Sequence, residues 1–207
     1  MALTPSNVND VKPWLQYYPE WTAHSLDYCE KTLGELYQQN LSKNVSRIAT
    51  RFFGRTQTFG ELDREVRRAA AGLKAFGVRP GDRVAIMLPN CPQHVAAFFA
   101  VQMIGGVVVE HNPLYTAHEL RPQFIDHGAR IAIAWDKAAD TLEKLRADTP
   151  LETVVSVNMT KAMPRAQQLA LRIPLPKILE ARAALTATSK NTSLHTCLLY
   201  TSPSPRD

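Results

Sequence analysis

The adjacent Glu110 and His111 are the most suggestive polar pair for chemistry in this sequence. They follow a short apolar run, which places them at the end of a predicted strand. A carboxylate beside an imidazole can transfer protons in general acid–base catalysis. The alternative is that the pair hydrogen-bonds the loop backbone and forms a wall, and a motif this short favours that structural role.

Three histidines and a cysteine are the other candidates for chemistry. The spacing of His111, His118 and His127 matches no common zinc signature, so we expect no metal site there. Cys91 lies in a proline-flanked loop, and the sequence places no base near it, which favours an inert thiol over a nucleophile. The chain has three cysteines, far apart and without a C-x-x-C pair, which argues against a disulfide framework.

The remaining candidates have simpler structural interpretations. Three acidic side chains are expected to lie on solvated helix faces: Asp63, Glu65 and Asp126. Three apolar side chains at helical spacing are expected to pack in the core rather than line a ligand pocket: Phe98, Phe99 and Met103. The sequence contains neither G-x-G-x-x-G nor G-x-x-x-x-G-K-[ST]. We therefore predict no catalytic, cofactor-binding or metal-binding residue in this chain.

Alternating strands and helices must position these side chains. Four continuous apolar runs are typical of strands covered on both faces: Val84–Leu88, Val107–Val109, Ile131–Ala134 and Val154–Val157. Helices are predicted between them: 93–104, 116–128, and 137–147 with Asp136 as its cap. This alternation predicts an α/β fold with a doubly wound, mostly parallel sheet, in which ligands bind at the carboxyl ends of the strands.

Capping signals indicate where two helices begin. Thr58 with Glu61, and Thr116 with Glu119, have the spacing of a capping box, in which each side chain satisfies a free backbone N–H group. Pro122 would lie inside the second helix, where it removes a backbone hydrogen bond and costs about 3 kcal/mol. That helix either kinks or begins at Pro122, and the sequence leaves both alternatives open.

The composition of this 207-residue chain is that of an ordinary globular protein, with 45% hydrophobic and 21% charged residues. The net charge of +5 lies mostly in residues 161–182, where basic residues alternate with Leu and Ile: Lys161, Arg165, Arg172, Lys177 and Arg182. Because the excess of positive charge is confined to this one segment, it argues against a nucleic-acid partner. It favours peripheral contact with anionic lipid, worth about 1 kcal/mol per basic residue.

The sequence shows no targeting or membrane-spanning segment. The N-terminus lacks the basic start and apolar run of a signal peptide. The longest apolar run, Val95–Val109, falls short of the roughly 18 residues that span a bilayer. We therefore expect a cytoplasmic protein with peripheral contact at the inner face of the membrane.

Two ordered motifs resemble the adenylate-forming (AMP-dependent synthetase and ligase) superfamily. Within Thr58–Asn90, the stretch Thr58–Leu62 resembles the family's early "Leu-Thr-Tyr-x-Glu-Leu" motif. Within Ala100–Leu120, the glycine pair and Asn112-Pro113 resemble its "Lys-Ala-Gly … Asn-Pro" segment. The continuation Asn-Pro-Leu-Tyr-Thr resembles the long-chain fatty-acid CoA ligase branch.

The resemblance implies a two-step reaction that uses ATP, Mg²⁺, a fatty acid and coenzyme A. Its catalytic residues would lie downstream of this chain, which resembles an N-terminal fragment without activity of its own. Residues 1–186 would be the N-terminal portion of the large AMP-binding domain. Residues 187–207 would be a disordered tail of non-native origin, because their Ser/Thr/Pro-rich end resembles sequencing-adapter read-through. The alternatives are a stand-alone α/β ligand-binding module and another acyl- or aryl-acid adenylating enzyme.

Overall fold

The computed structural model describes residues 12–25 and 30–193 and divides the chain into two units, residues 1–31 and 32–207. In the first unit, the described part contains a 3₁₀ helix over Pro13–Tyr17 with no buried residue. The second unit contains the sheet and the helices that pack on it. Cys29 and Cys197, and the tail from residue 194 onward, lie outside the described residues.

Helices and strands alternate along the second unit. The elements in chain order are α1 Leu33–Asn44, β1 Ile48–Phe52, β2 Arg55–Thr58, α2 Phe59–Ala75, β3 Arg83–Met87, α3 Pro92–Ile104, β4 Val107–Glu110, α4 Ala117–His127, β5 Ile131–Trp135, α5 Ala139–Glu143, β6 Thr153–Val157, a 3₁₀ turn Met159–Ala162, α6 Arg165–Ala170, α7 Pro176–Leu185 and β7 Thr192–Ser193.

The main sheet has the strand order β4-β3-β5-β6-β7, and all of its strands are parallel. This confirms the predicted α/β class and the four predicted strands, all of which lie where the apolar runs placed them. β7 adds a two-residue edge that pairs with Val155 and Ser156 of β6. β1 and β2 form a separate antiparallel hairpin.

Strand β3 is buried on both faces, because its side chains alternate between two hydrophobic cores. Val84 and Ile86 belong to the core formed with α2 and α3. Ala85 and Met87 belong to the core formed with α4 and α5. The helices that leave β3 and β4 therefore cover opposite faces of the sheet, as expected for a doubly wound fold.

Helix starts follow the capping chemistry. The side-chain oxygens of Thr58 and Thr116 accept the backbone N–H groups of Glu61 and Glu119, and both glutamates return the bond. The second box settles the alternative at Pro122, because α4 begins at Ala117 and continues through the proline. A capping box therefore fixes the start of this helix even though Pro122 cannot donate a backbone hydrogen bond within it.

Three sequence predictions about local structure are wrong. The helix predicted over Lys137–Ala147 covers only Ala139–Glu143, and Asp136 does not cap it. The Asp136 carboxylate instead accepts a hydrogen bond from the Thr186 hydroxyl, a partner 50 residues away. β4 is an edge strand rather than a strand covered on both faces, and its first residue, Val107, is 46% exposed.

The solvated position predicted for Asp63 is also wrong. This side chain is buried, and its Oδ2 lies 2.7 Å from Nε of Arg67 one helical turn later. Helix α1 covers the same face, since Gln38 accepts a 3.1 Å hydrogen bond from Arg67. Glu65 is half-buried rather than solvated, and Asp126 is exposed as predicted.

The capping box at Thr58 gives the first prediction. Thr58→Ala removes the side-chain acceptor for the N–H of Glu61, and should lower the free energy of unfolding by about 1 kcal/mol. Urea denaturation followed by circular dichroism measures the loss. Thr56→Ala, in the exposed part of β2, is the matched control and should change stability by a few tenths of that amount at most. Equal losses in the two variants would contradict a capping role for Thr58.

Candidate functional site

The loops that leave a parallel sheet at the carboxyl ends of its strands meet at one edge, where ligands of this architecture bind. Here that edge carries the loop after β3, the residues after β4, and the single residues that follow β5 and β6. Two groups of polar side chains lie beside β4. One contains Glu110, and the other contains His111.

Glu110, the last residue of β4, pairs with His94 in the first turn of α3. Nε2 of His94 lies 3.0 Å and 3.1 Å from the two carboxylate oxygens. The hydrogen bond to Glu110 raises the pKa of His94, and partial burial opposes it only in part. The pair therefore favours the protonated imidazole of His94.

The structure does not bring the predicted pair of Glu110 and His111 together. Successive residues at a strand end point to opposite sides of the sheet, so Glu110 turns toward α3 and His111 toward α4. The proton-transfer hypothesis for the two adjacent residues therefore has no geometric support. His94 is not among the residues singled out from the sequence, although its place in the helix that follows a buried strand was the available signal.

His111 lies in a series of hydrogen bonds that runs from Ala129 through His127 and His111 to Gln123. The groups at the two ends of this series determine which ring nitrogens carry the protons. At one end, Nδ1 of His127 accepts the backbone N–H of Ala129 at 3.0 Å, so its proton lies on Nε2. That Nε2 lies 3.1 Å from Nε2 of His111 and donates to it. His111 then carries its proton on Nδ1 and donates it to Oε1 of Gln123 at 3.0 Å.

Both imidazoles in this series are neutral. Gln123 donates its amide to the carbonyl of Glu119 at 2.9 Å, which leaves Oε1 to face His111 as an acceptor. Burial lowers the pKa of His111, and burial followed by repulsion from His111 lowers the pKa of His127 to about 4. The ring of His111 also stacks on Phe124, with ring centres 5.1 Å apart. The chain of bonds therefore attaches α4 to the end of β4.

The same geometry argues against a metal between these histidines. A metal on Nε2 of His127 would require the proton on Nδ1, where it would oppose the N–H of Ala129. His118, the third candidate ligand, is exposed and lies outside the pair. Across residues 12–25 and 30–193, no group of three or more His, Cys, Asp or Glu side chains could hold a metal ion.

A cavity of about 560 Å³ lies beside His94, between the hairpin strand β1 and helix α3. Its walls include Cys91, Phe98 and Phe99. The two phenylalanines and Met103 pack against the core as predicted, but Phe98 and Phe99 also line this cavity. Burial raises the pKa of the Cys91 thiol, which favours its protonated form.

This cavity could not be predicted from the sequence, because the hairpin that forms one of its walls has only a weak sequence signal. The two residues between β1 and β2 are Phe53 at φ 49° and Gly54 at φ 88°. A two-residue turn with two positive φ values is usually marked by Asn-Gly or Asp-Gly, and Phe-Gly is a weak signal for it. The strand residues of the hairpin are also mostly polar.

The described glycines show where the backbone adopts a positive φ. The glycines with positive φ lie in turns and at helix ends, and none belongs to a glycine-rich phosphate loop. The His94–Glu110 pair and the His111–His127 chain hold loops at the edge of the sheet.

Comparison with known proteins identifies relatives for most of the chain. A family model described as "AMP-binding enzyme" matches residues 37–204. The long-chain-fatty-acid–CoA ligase of Bacillus subtilis (strain 168) is 34% identical over 153 residues, which cover 74% of this chain and 27% of that protein. The enzyme of the same name from Escherichia coli O6:H1 is 33% identical over 150 residues, covering 72% of this chain and 27% of that protein.

The fold has counterparts among solved structures. The apo structure of MbtA from Mycobacterium smegmatis superposes with a TM-score of 0.59 at 28% identity, and the match covers 62% of this chain and 25% of that one. This chain spans about a quarter of the length of the curated relatives that it matches.

The neutral histidine chain gives a prediction about pH. His111 and His127 have pKa values below the ordinary 6.5 in the folded protein, so the unfolded state binds more protons between about pH 4 and pH 6.5. The contribution of these two histidines to stability should therefore be fully present above pH 6.5 and fall as the pH is lowered through this window. Urea denaturation at pH 7.5, 6.0 and 5.0 measures the change.

A matched pair of variants separates these two histidines from other titrating groups. His127→Asn keeps an acceptor near the position of Nδ1 but removes the titrating ring, and it should flatten the loss between pH 7.5 and 5.0. His118→Asn, on the exposed face of the same helix, should leave the loss unchanged. If the stability of His127→Asn depended on pH as that of the original protein does, this would contradict the assignment of neutral imidazoles to His111 and His127.

Proposed function

The chain belongs to the AMP-binding enzyme family, and from this we propose that it is the N-terminal part of the large domain of a long-chain fatty-acid CoA ligase. The observation that carries the proposal is its 33–35% identity, over about 150 residues, to curated bacterial enzymes with that name. The segment Asn112–Thr116, which resembles this branch in sequence, forms the loop between β4 and the capping box of α4.

In the proposed parent protein the overall reaction converts a long-chain fatty acid, ATP and coenzyme A into acyl-CoA, AMP and pyrophosphate. We propose that Mg²⁺ accompanies ATP there and that all of these ligands bind mainly to residues outside this chain. No residue here is assigned a catalytic, cofactor-binding or metal-binding role. Residues 1–186 would supply the first part of the large domain, and residues 187–207 would be a non-native tail.

The role proposed for this chain is that of a scaffold. The buried strand β3 fixes the position of the sheet between its two layers of helices. The His94–Glu110 pair then attaches the first residues of α3 to β4, and the hydrogen bonds between His111 and His127 attach the end of α4 to β4. These contacts use charge and hydrogen bonding to set the positions of loops. Rigid loops at the carboxyl edge of a sheet are what a bound substrate requires for orientation.

Two other functions remain as alternatives. Another acyl- or aryl-acid adenylating enzyme of the same family would share this scaffold and differ in its acid pocket. A stand-alone binding module is supported by the cavity beside His94, whose size of about 560 Å³ lies in the range of small-molecule sites. Such a module would bind a ligand without turning it over.

Peripheral membrane contact is a further property that we propose for residues 161–182. Helices α6 and α7 contain no buried residue, and four apolar side chains in and around them are 45–65% exposed: Leu169, Ile173, Leu175 and Leu179. Basic residues lie between them. In the described part of the chain, no helix is both long and apolar enough to cross a membrane.

The scaffold role predicts that the 207-residue chain alone forms no acyl-CoA. The purified protein should give no product above background from palmitate, ATP, Mg²⁺ and coenzyme A in a chromatographic assay. A complete long-chain acyl-CoA ligase under the same conditions is the positive control. Acyl-CoA formed in proportion to the concentration of this chain would overturn the assignment of catalysis to residues outside it.

The membrane proposal predicts co-sedimentation of the whole chain with phosphatidylglycerol vesicles and much weaker binding to phosphatidylcholine. Replacing Leu169 and Leu175 with Ser should lower the binding by roughly tenfold or more, because burying one Leu side chain is worth about 1.5–3 kcal/mol. Leu114→Ser, at a loop position that is 78% exposed, is the control. Equal binding to both lipids, or the same loss in the control, would refute the contact.

A further inference from the structure

A second large cavity, of about 740 Å³, lies where β5 and β6 end. Asp136 and Asn158, the residues that follow these two strands, form its floor together with Ser156. The 3₁₀ turn, helices α6 and α7, and the chain that follows each of these helices supply the rest of its lining. The cavity is separate from the His94–Glu110 pair and from the His111–His127 chain.

The cavity is lined by three cations: Lys161, Arg172 and Arg182. Within residues 12–25 and 30–193, none of them forms an ion pair with a carboxylate. In the described part of the chain these three cations surround one polar cavity without a carboxylate partner, and together they attract an anion. Two of the three are arginines, whose planar groups suit the oxygens of a phosphate.

Asp136 is the carboxylate in this lining, and it is only 5% exposed. Its Oδ2 accepts from Thr186, whereas its Oδ1 is buried without a hydrogen-bond partner. A buried acceptor without a partner costs free energy until a donor reaches it. A ligand hydroxyl would supply that donor.

The polar groups of this lining define the ligand that would complete it. Such a ligand needs acceptor oxygens for the arginines and the lysine, and a hydroxyl for the carboxylate. A phosphate ester of a small polyol carries all of these groups.

We propose that this cavity binds a polyol phosphate ester of the glycerol phosphate type. The phosphate oxygens contact Arg172, Arg182 and Lys161, and a hydroxyl of the polyol donates to Asp136. The same chemical group occurs free in solution and as the headgroup of phosphatidylglycerol. The proposal depends neither on ligase activity nor on the exposed leucines proposed to contact the membrane.

Titration calorimetry on the whole 207-residue chain tests the site, with sn-glycerol 3-phosphate, inorganic phosphate and glycerol as probes. Glycerol 3-phosphate should bind more tightly than inorganic phosphate, because only the ester carries the hydroxyls that reach Asp136. Glycerol should bind too weakly to measure. Equal affinity for the ester and for inorganic phosphate would overturn the assigned role of Asp136, and this comparison needs no variant that could fail to fold.

Two charge-matched double variants test the arginines. Arg172→Gln/Arg182→Gln should weaken binding by on the order of tenfold or more, since each removes a charge-assisted hydrogen bond. Arg165→Gln/Lys177→Gln changes two basic residues of α6 and α7 that do not line the cavity, and it should leave the affinity unchanged. Equal weakening in the two double variants would show general surface attraction and would overturn the site.

Vesicles distinguish the two sources of the ligand. Vesicles of phosphatidylglycerol should compete with soluble glycerol 3-phosphate if the headgroup enters the cavity, and this competition should be lost in Arg172→Gln/Arg182→Gln. Competition supports a lipid source, and binding of the soluble ester without competition supports a free metabolite. The proposal would be overturned if neither the soluble ester nor the vesicles bind, or if the binding of both is unchanged in Arg172→Gln/Arg182→Gln.

Discussion

The burial of β3 on both of its faces is the constraint on which the rest of the structure depends. Val84 and Ile86 face one core, and Ala85 and Met87 face the other, so neither face tolerates a polar side chain. Helices α2 and α3 must then cover one face, and α4 and α5 the other. The connection from β4 to β5 consequently passes over β3, and the loops after the strands meet at a single edge.

This arrangement determines what the polar residues at that edge can do. Because neighbouring residues at the end of β4 point to opposite faces, Glu110 stabilises the start of α3, and His111 holds the end of α4. A carboxylate raises the pKa of one histidine, His94, and burial lowers the pKa of two others, His111 and His127. These opposite pKa shifts arise from contacts that position loops, and a shifted pKa here is no evidence of catalysis by itself.

Local signals in the sequence predicted the strands and the capping boxes, because both depend on residues within one turn or one run of chain. The apolar runs at Val84–Leu88 and Ile131–Ala134 and the box at Thr116 could be assigned without tertiary information. The environment of Asp63 could not, because α1 covers it from a distant part of the sequence. Asp136 likewise finds its partner at Thr186 rather than in the helix that its type suggested. The same holds for His94, whose partner Glu110 lies on strand β4, and for the cavity beside His94, one wall of which is the hairpin.

The chain belongs to a family of AMP-binding enzymes, and the proposal that it is the first part of a larger enzyme rests on that membership. The most direct test of this account is to sequence the genomic reading frame beyond the codon for Thr186. We expect the native frame to continue into the large domain and to encode a Ser/Thr/Gly-rich phosphate loop. A native frame that runs through Asp207 to a stop codon, with no such loop, would contradict it.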